Sequence, residues 1–266
     1  MSRLPTLFLS HGSPMHAIEP GPAGKAWTAL AKSLPKPRAI LIASAHWETS
    51  VPMLTGNPRP ETIHDFGGFP AELYKIAYPA PGAPELASRA VNLLKSAEIT
   101  AGVDGCRGLD HGAWVPLRWM YPDADVPVVQ LSLQPALGTA HHLRLGAALA
   151  PLADEGVLIV GSGHTTHNLR DWMTNPRRAE PLRYVQGFAD WVDAQLEAHD
   201  SGALVAYRER APEATRAHPT EEHFLPLFVA LGAAGPHARA QRVYAAIEAR
   251  ALAMDAYIFE SDAAHA

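Results

Sequence analysis

Histidine is the residue whose type and placement could do chemistry in this chain. The sequence has 14 histidines and one cysteine, Cys106. No cysteine-based zinc motif can form, so imidazole, helped by carboxylates, must supply any transition-metal site. Neutral imidazole is also the side chain best suited to move a proton near neutral pH. Three histidine positions share one setting. His11 follows the apolar run 4–10, His46 follows the run 39–45, and His164 and His167 follow the run 157–160 through Gly161-Ser162-Gly163. A lone histidine after a strand is more often a hydrogen-bonded structural group. Repetition at equivalent places points to a site, because a core has no reason to repeat it.

Two further histidines stand in local settings of their own. His111 lies in Gly108-Leu109-Asp110-His111-Gly112, where Asp110 can cap a helix. His223 lies in Thr220-Glu221-Glu222-His223-Phe224-Leu225-Pro226, ahead of a helix that Pro226 can open. The plain alternatives are an ordinary N-terminal turn and an acidic first turn favoured by the helix dipole. His64 stands beside Asp65, either as a substrate-facing pair or as a loop hydrogen bond. His141 and His142 fall on a helical pattern and read as surface. His16, His199, His237 and His265 have no such setting.

The elements that must position these residues follow from hydrophobic patterning. The runs 4–10, 39–45, 126–133 and 157–160 read as strands buried on both faces, with 254–260 as one more. Helical patterns cover 84–97, 113–120, 140–154, 182–199 and 225–231. The alternation predicts an α/β fold with a mostly parallel or mixed central sheet and helices on both faces. Ligands of such sheets bind beyond the carboxyl ends of the strands, where the histidines fall. Residues 56–82 and 206–219 read as long loops, a length that is usually functional. No linker interrupts the chain, so 1–266 is expected to be a single domain.

Other classes are disfavoured. The net charge is −5 and the 22 Lys and Arg residues form no basic stretch, which argues against nucleic acid. No apolar run is long enough to span a bilayer. The N-terminal residues read as the first strand and not as a signal peptide, and a cytoplasmic location is expected. Thr166 occupies the third glycine position of a dinucleotide fingerprint. Nucleophile-elbow, Walker A and HExxH motifs do not occur.

An ordered set of motifs resembles the class III extradiol ring-cleavage dioxygenases, in particular the DOPA-dioxygenase type of the LigB superfamily. These are Leu9-Ser10-His11-Gly12-Ser13-Pro14-Met15, Ser44-Ala45-His46-Trp47, residues 62–70, Tyr78-Pro79-Ala80-Pro81-Gly82, Asp110-His111-Gly112-Ala113-Trp114, His167-Asn168-Leu169-Arg170, and residues 219–227. The similarity spans nearly the whole chain.

The resemblance implies a divalent metal bound by His11, His46 and His223, with Glu222 as a rival to His223. The metal expected is Fe2+, with Zn2+ as the alternative that a three-histidine set also suits. His167 is implied as the main base or an extra ligand. His111 is implied as the donor that orients substrate and a possible acid, and the two roles can be exchanged. The implied reaction inserts both atoms of dioxygen into a catechol and opens the ring beside the diol. His64 and Arg170 are implied to meet a substrate carboxylate. Trp47, Phe66, Phe69 and Trp114 are either a ring-shaped wall or core. Two other readings stay open: a zinc-dependent hydrolase using Asp65, Asp110 or Glu222, and a non-catalytic metal-binding protein. Monomer and homodimer are both compatible with the sequence.

Overall fold

The computed structural model describes residues 3–174 and 180–261, so His265 lies outside the described residues. The strands are β1 (Thr6–Ser10), β2 (Ala39–Glu48), β3 (Met53–Thr55), β4 (Gly102–Asp104), β5 (Val128–Leu133), β6 (Val157–Gly163), β7 (Arg239–Tyr244), β8 (Ile247–Glu248), β9 (Leu252–Ala253) and β10 (Ala256–Glu260). Eight of them form one sheet in the order β4-β3-β5-β2-β6-β1-β10-β7, and β8 pairs with β9. The four central strands, β5, β2, β6 and β1, are parallel. On the flanks, β3 runs antiparallel to β5, and β10 runs antiparallel to both β1 and β7. The sheet is therefore mixed around a parallel centre.

The main helices are α1 (Gly21–Ser33), α2 (Pro84–Ser96), α3 (His111–Met120), α4 (Gly138–Leu149), α5 (Arg183–Glu197) and α6 (Leu225–Ala234). Side-chain alternation along the strands sorts them onto two faces. Leu7, Leu9, Ile40 and Ile42 pack against α1 and α3 through Trp27, Leu30, Trp114 and Val115. The intervening Phe8 faces α5 and α6, and Leu41 and Ala43 face α2, α4 and α6. Helix α6 is buried on nearly every side, which is why its sequence is a continuous apolar run.

Two glycines allow α6 to sit close against β6. A Cβ on Gly161 would lie 2.1 Å from the Pro226 carbonyl oxygen, and one on Gly163 would lie 2.1 Å from that of His223. The segment Gly161-Ser162-Gly163, read from sequence as lying beyond the strand, belongs to β6.

Several expectations are corrected. The helical pattern 140–154 breaks before Pro151, giving α4 and a separate turn at Pro151–Asp154. The loop 206–219 contains helical turns at Tyr207–Arg210 and Ala214–Ala217. The loop 56–82 is pinned by bridges from Thr62 to Leu109 and from Gly82 to Val128. His142 is fully buried and not on the surface. Its Nδ1–H donates to Gly138 O (2.7 Å) and its Nε2 accepts from Gln134 N–H (3.1 Å). No helix of the described residues is long and apolar enough to cross a membrane.

Candidate metal and catalytic site

The parallel strands β1, β2 and β6 end at one edge and deliver their histidines there. His11 follows β1, and its backbone N–H donates to Gly163 O at the end of β6 (3.0 Å). His46 lies near the end of β2, within the irregular stretch between Ala43 and Glu48. His111 is the first residue of α3, capped by Asp110, whose carboxylate accepts from Ala113 N–H (3.3 Å). His223 precedes α6, and its carbonyl accepts from His164 N–H (2.7 Å). His167 follows β6, and its ring stacks on that of His223.

The hydrogen bonds determine which imidazole nitrogens are free. The Ser162 hydroxyl donates to Gly112 O, so toward His11 Nδ1 (3.1 Å) it acts as an acceptor. His11 therefore carries its proton on Nδ1 and keeps Nε2 bare. His223 Nδ1–H donates to the Glu222 carboxylate (2.9 Å), and its Nε2 is buried without a partner. His46 Nδ1 lies 3.5 Å from the Asp65 carboxylate, which favours the proton on that side. Its Nε2 faces His11 Nε2 at 3.0 Å. Ring nitrogens of His11, His46 and His223 all lie within 4.8 Å of one another. The bare nitrogens of His11 and His223, and that of His46 when its proton is on the Asp65 side, thus converge where each would repel the others unless a cation lay between them. This donor set fits a divalent ion that accepts imidazole.

Burial keeps these rings neutral, as a ligand set requires. It pushes His11 and His223 well below the ordinary histidine value, with neighbouring histidines adding to the effect. His46 is lowered by burial and by His111. His167 is pushed down to about 4 by burial and by His111. Burial would raise the Asp65 carboxyl, but hydrogen bonds from His111 outweigh it and hold the group below the usual range.

The remaining residues fall into two groups. Phe66 lies on the site side, with its ring 5.7 Å from that of His111, and it packs on Phe69. Trp114 is core, its indole N–H donating to Ile63 O (2.9 Å). Trp47 is also buried, beneath the Arg107 guanidinium. His64 gives Nε2 to Ile76 O (3.0 Å) and packs on Phe66 and Trp114, one ring removed from the cluster. Arg170 is exposed on the short helix Leu169–Met173.

Four residues take part in ways that the sequence reading did not assign to them. Glu222 acts as the hydrogen-bond partner of His223, although it also shares a group with His167 and His223. Ser162 lies in a motif set aside as a poor nucleotide fingerprint. His164 is fully buried behind His11, with its ring 4.9 Å away. Asp65 bonds His111 and not its neighbour His64. The local signals were the acidic residue beside His223 and the place of His164 just after a strand.

A family model described as the catalytic LigB subunit of aromatic ring-opening dioxygenase matches residues 5–251. The chain belongs to the LigB family of aromatic ring-opening dioxygenases. It is 44% identical over 261 residues to a 4,5-DOPA dioxygenase extradiol of Beta vulgaris, covering 96% of each chain. It is 43% identical over 237 residues to the protein so named in Escherichia coli K12, covering 87% of this chain and 86% of that one. The crystal structure of an uncharacterized Escherichia coli K12 protein superimposes with a TM-score of 0.81 at 37% identity, covering 96% of this chain and 99% of that one. This LigB-family chain is accordingly an extradiol ring-opening dioxygenase, an oxidoreductase that uses a metal, dioxygen and a small aromatic substrate.

Proposed function

We propose that this LigB-family chain opens a DOPA-type catechol at a ferrous ion held by His11, His46 and His223, with residues 1–266 acting as one catalytic domain. The observation that carries the reading is the convergence of three bare imidazole nitrogens, each ring anchored by a partner at its other nitrogen. DOPA enters as the substrate named for the similar plant and bacterial proteins. When bound, Fe2+ supplies a redox-active Lewis acid with positions open to a catechol and to dioxygen, whereas zinc has no redox chemistry. The cytoplasm is the expected compartment, since reducing conditions keep both ferrous iron and the exposed Cys106 thiol reduced.

The protein's own residues orient the substrate and move its protons. His167, neutral and with no side-chain hydrogen bond to another described residue, accepts the proton of a catechol hydroxyl. It later returns that proton as the ring opens. His111 gives Nδ1–H to Asp65 and turns Nε2 toward the second hydroxyl. Phe66 and Phe69 wall the aromatic ring on the loop side. Arg170, three residues beyond His167, is assigned to the polar tail of the substrate. His64, with Nε2 committed to Ile76 O, is the weaker of the two candidates for that role.

The test is anaerobic loading with Fe2+, followed by a panel of catechols in air. Oxygen uptake together with a yellow ring-opened product is the expected result. Iron-loaded protein that consumes no oxygen with any catechol would overturn the reading in favour of zinc-dependent hydrolysis or a binding role.

A further inference from the structure

We propose that Asp65 is a positioning residue, resting on the functional reading above: it fixes the proton of His111 on Nδ1 and so presents Nε2 to the substrate as a bare acceptor. The geometry is specific. Asp65 Oδ1 accepts from the His111 backbone N–H (2.9 Å), and Oδ2 accepts from His111 Nδ1–H (2.9 Å). The same Oδ2 lies 3.5 Å from His46 Nδ1. An ionised carboxylate has no hydrogen to donate, so His111 must face it through N–H, and the more distant His46 is favoured to do the same. One oxygen therefore sets the tautomer of a substrate-facing histidine and biases that of a metal-facing one. Their rings are 3.9 Å apart.

The loop around Asp65 is built to hold it there. Ile63 N–H donates to Leu109 O (2.8 Å) and Leu109 N–H donates to Glu61 O (2.8 Å). Trp114 Nε1–H closes onto Ile63 O (2.9 Å), and Tyr78 N–H onto Thr62 Oγ1 (2.8 Å). Three of these bonds tie residues 61–63 to Leu109 and α3, and the fourth ties the far side of the loop to Thr62, so the carboxylate stands beside His111 before substrate arrives. The Asp65 side chain remains 22% exposed, and the ring of the next residue, Phe66, lies 5.7 Å from that of His111. Without the carboxylate, His111 is free to adopt the other tautomer. It would then meet a catechol hydroxyl as a donor where an acceptor is needed.

The experiment is 15N NMR of histidine-labelled, metal-free protein, with His111 assigned by comparison with His111→Gln. Wild type should show the Nδ1–H tautomer at His111, and Asp65→Asn should shift it toward Nε2–H. Iron-loaded Asp65→Asn should keep its metal, lose about 10–100-fold in kcat and change little in KM, on the scale of lost outer-shell partners. Asp65→Glu, which retains the carboxylate, should recover the Nδ1–H signal. An Nε2–H signal in wild type overturns the proposal, and so does Asp65→Asn with unaltered kcat. Loss of iron from Asp65→Asn overturns it too, by placing the effect of Asp65 at the metal site and not at His111. If Asp65→Asn fails to fold, the wild-type spectrum still decides. Wild type that shows the expected tautomer but opens no catechol sinks the functional reading and leaves the effect of Asp65 on His111 intact.

Discussion

The ring of His167 lies flat on that of His223, with centroids 3.4 Å apart and planes 12° from parallel. One ring follows β6 and the other precedes α6, so the stack joins the edge of the sheet to the helix that covers it. His223 is held separately by Glu222. Removing His167 therefore bares one face of His223 without removing any of the three converging nitrogens.

For this reason His167→Ala should retain iron while turnover falls by about 100-fold or more, the scale of lost acid–base catalysis. Metal analysis and oxygen uptake on the same sample measure both. Wild-type turnover would remove His167 from the mechanism.

His11→Ala or His46→Ala should instead abolish metal binding. Each substitution deletes one of only three convergent nitrogens and leaves the other two facing a hole. Metal content after desalting is the measurement, and full occupancy in either variant would sink the ligand assignment.

Gly163→Ala should damage fold and site together. Its Cβ would lie 2.1 Å from the carbonyl oxygen of His223, a backbone atom that can yield only if α6 moves. A loss of about 1–3 kcal/mol in stability, or more, is expected from such overpacking, with weaker metal affinity alongside. Gly187→Ala in α5 is the control, since nothing lies within 4 Å of its Cβ. It should stabilise by about 0.5–1 kcal/mol through helix propensity. Equal melting temperatures for the two variants would contradict this account.

Stability should also depend on pH through His16. Its ring donates to Ser13 O (3.0 Å) and to the Glu248 carboxylate (3.2 Å), so both nitrogens carry protons. Burial would lower this histidine, but Glu248 outweighs it and the value is raised above 6.5. The stabilisation is therefore fully present below the unfolded value and is lost as pH rises through the folded one. Glu248→Gln should lower the melting temperature in mild acid and have little effect in alkali. The difference should be at most about 1 kcal/mol, because Glu248 is 32% exposed. A destabilisation that is the same at both pH values would exclude the pair as its source.

The legible parts of this molecule were those written in short stretches of chain. His11, His46 and His167 stand out because parallel strands end together, so equivalent positions in sequence become neighbours in space. Asp110 reads as a cap from its place ahead of α3, and it is one. Asp65 could not be matched to His111 by any local rule, because their contact spans 46 residues and depends on how the loop folds back. Strands β3 and β4 escape detection because three residues carry too little pattern. Strand β7 escapes because its Arg and Gln residues suit an exposed edge. His142 reads as surface from its polar neighbours. Its burial is made tolerable by backbone partners at both ring nitrogens, Gly138 O and, eight residues away, Gln134 N–H.

The pairing of β1 with β10 sets residues 6–9 against residues 256–259. His11 thus sits just past the end of a strand whose outer neighbour, β10, is the last strand in the chain order of the described residues. Closures this distant in sequence are slow compared with helix formation. An ion offered to a refolding chain before β1, β2, β6 and α6 have met finds scattered imidazoles and not a cage. The rate of iron capture therefore reports when His11, His46 and His223 come together in a refolding chain, readable by metal uptake alone with no substrate present.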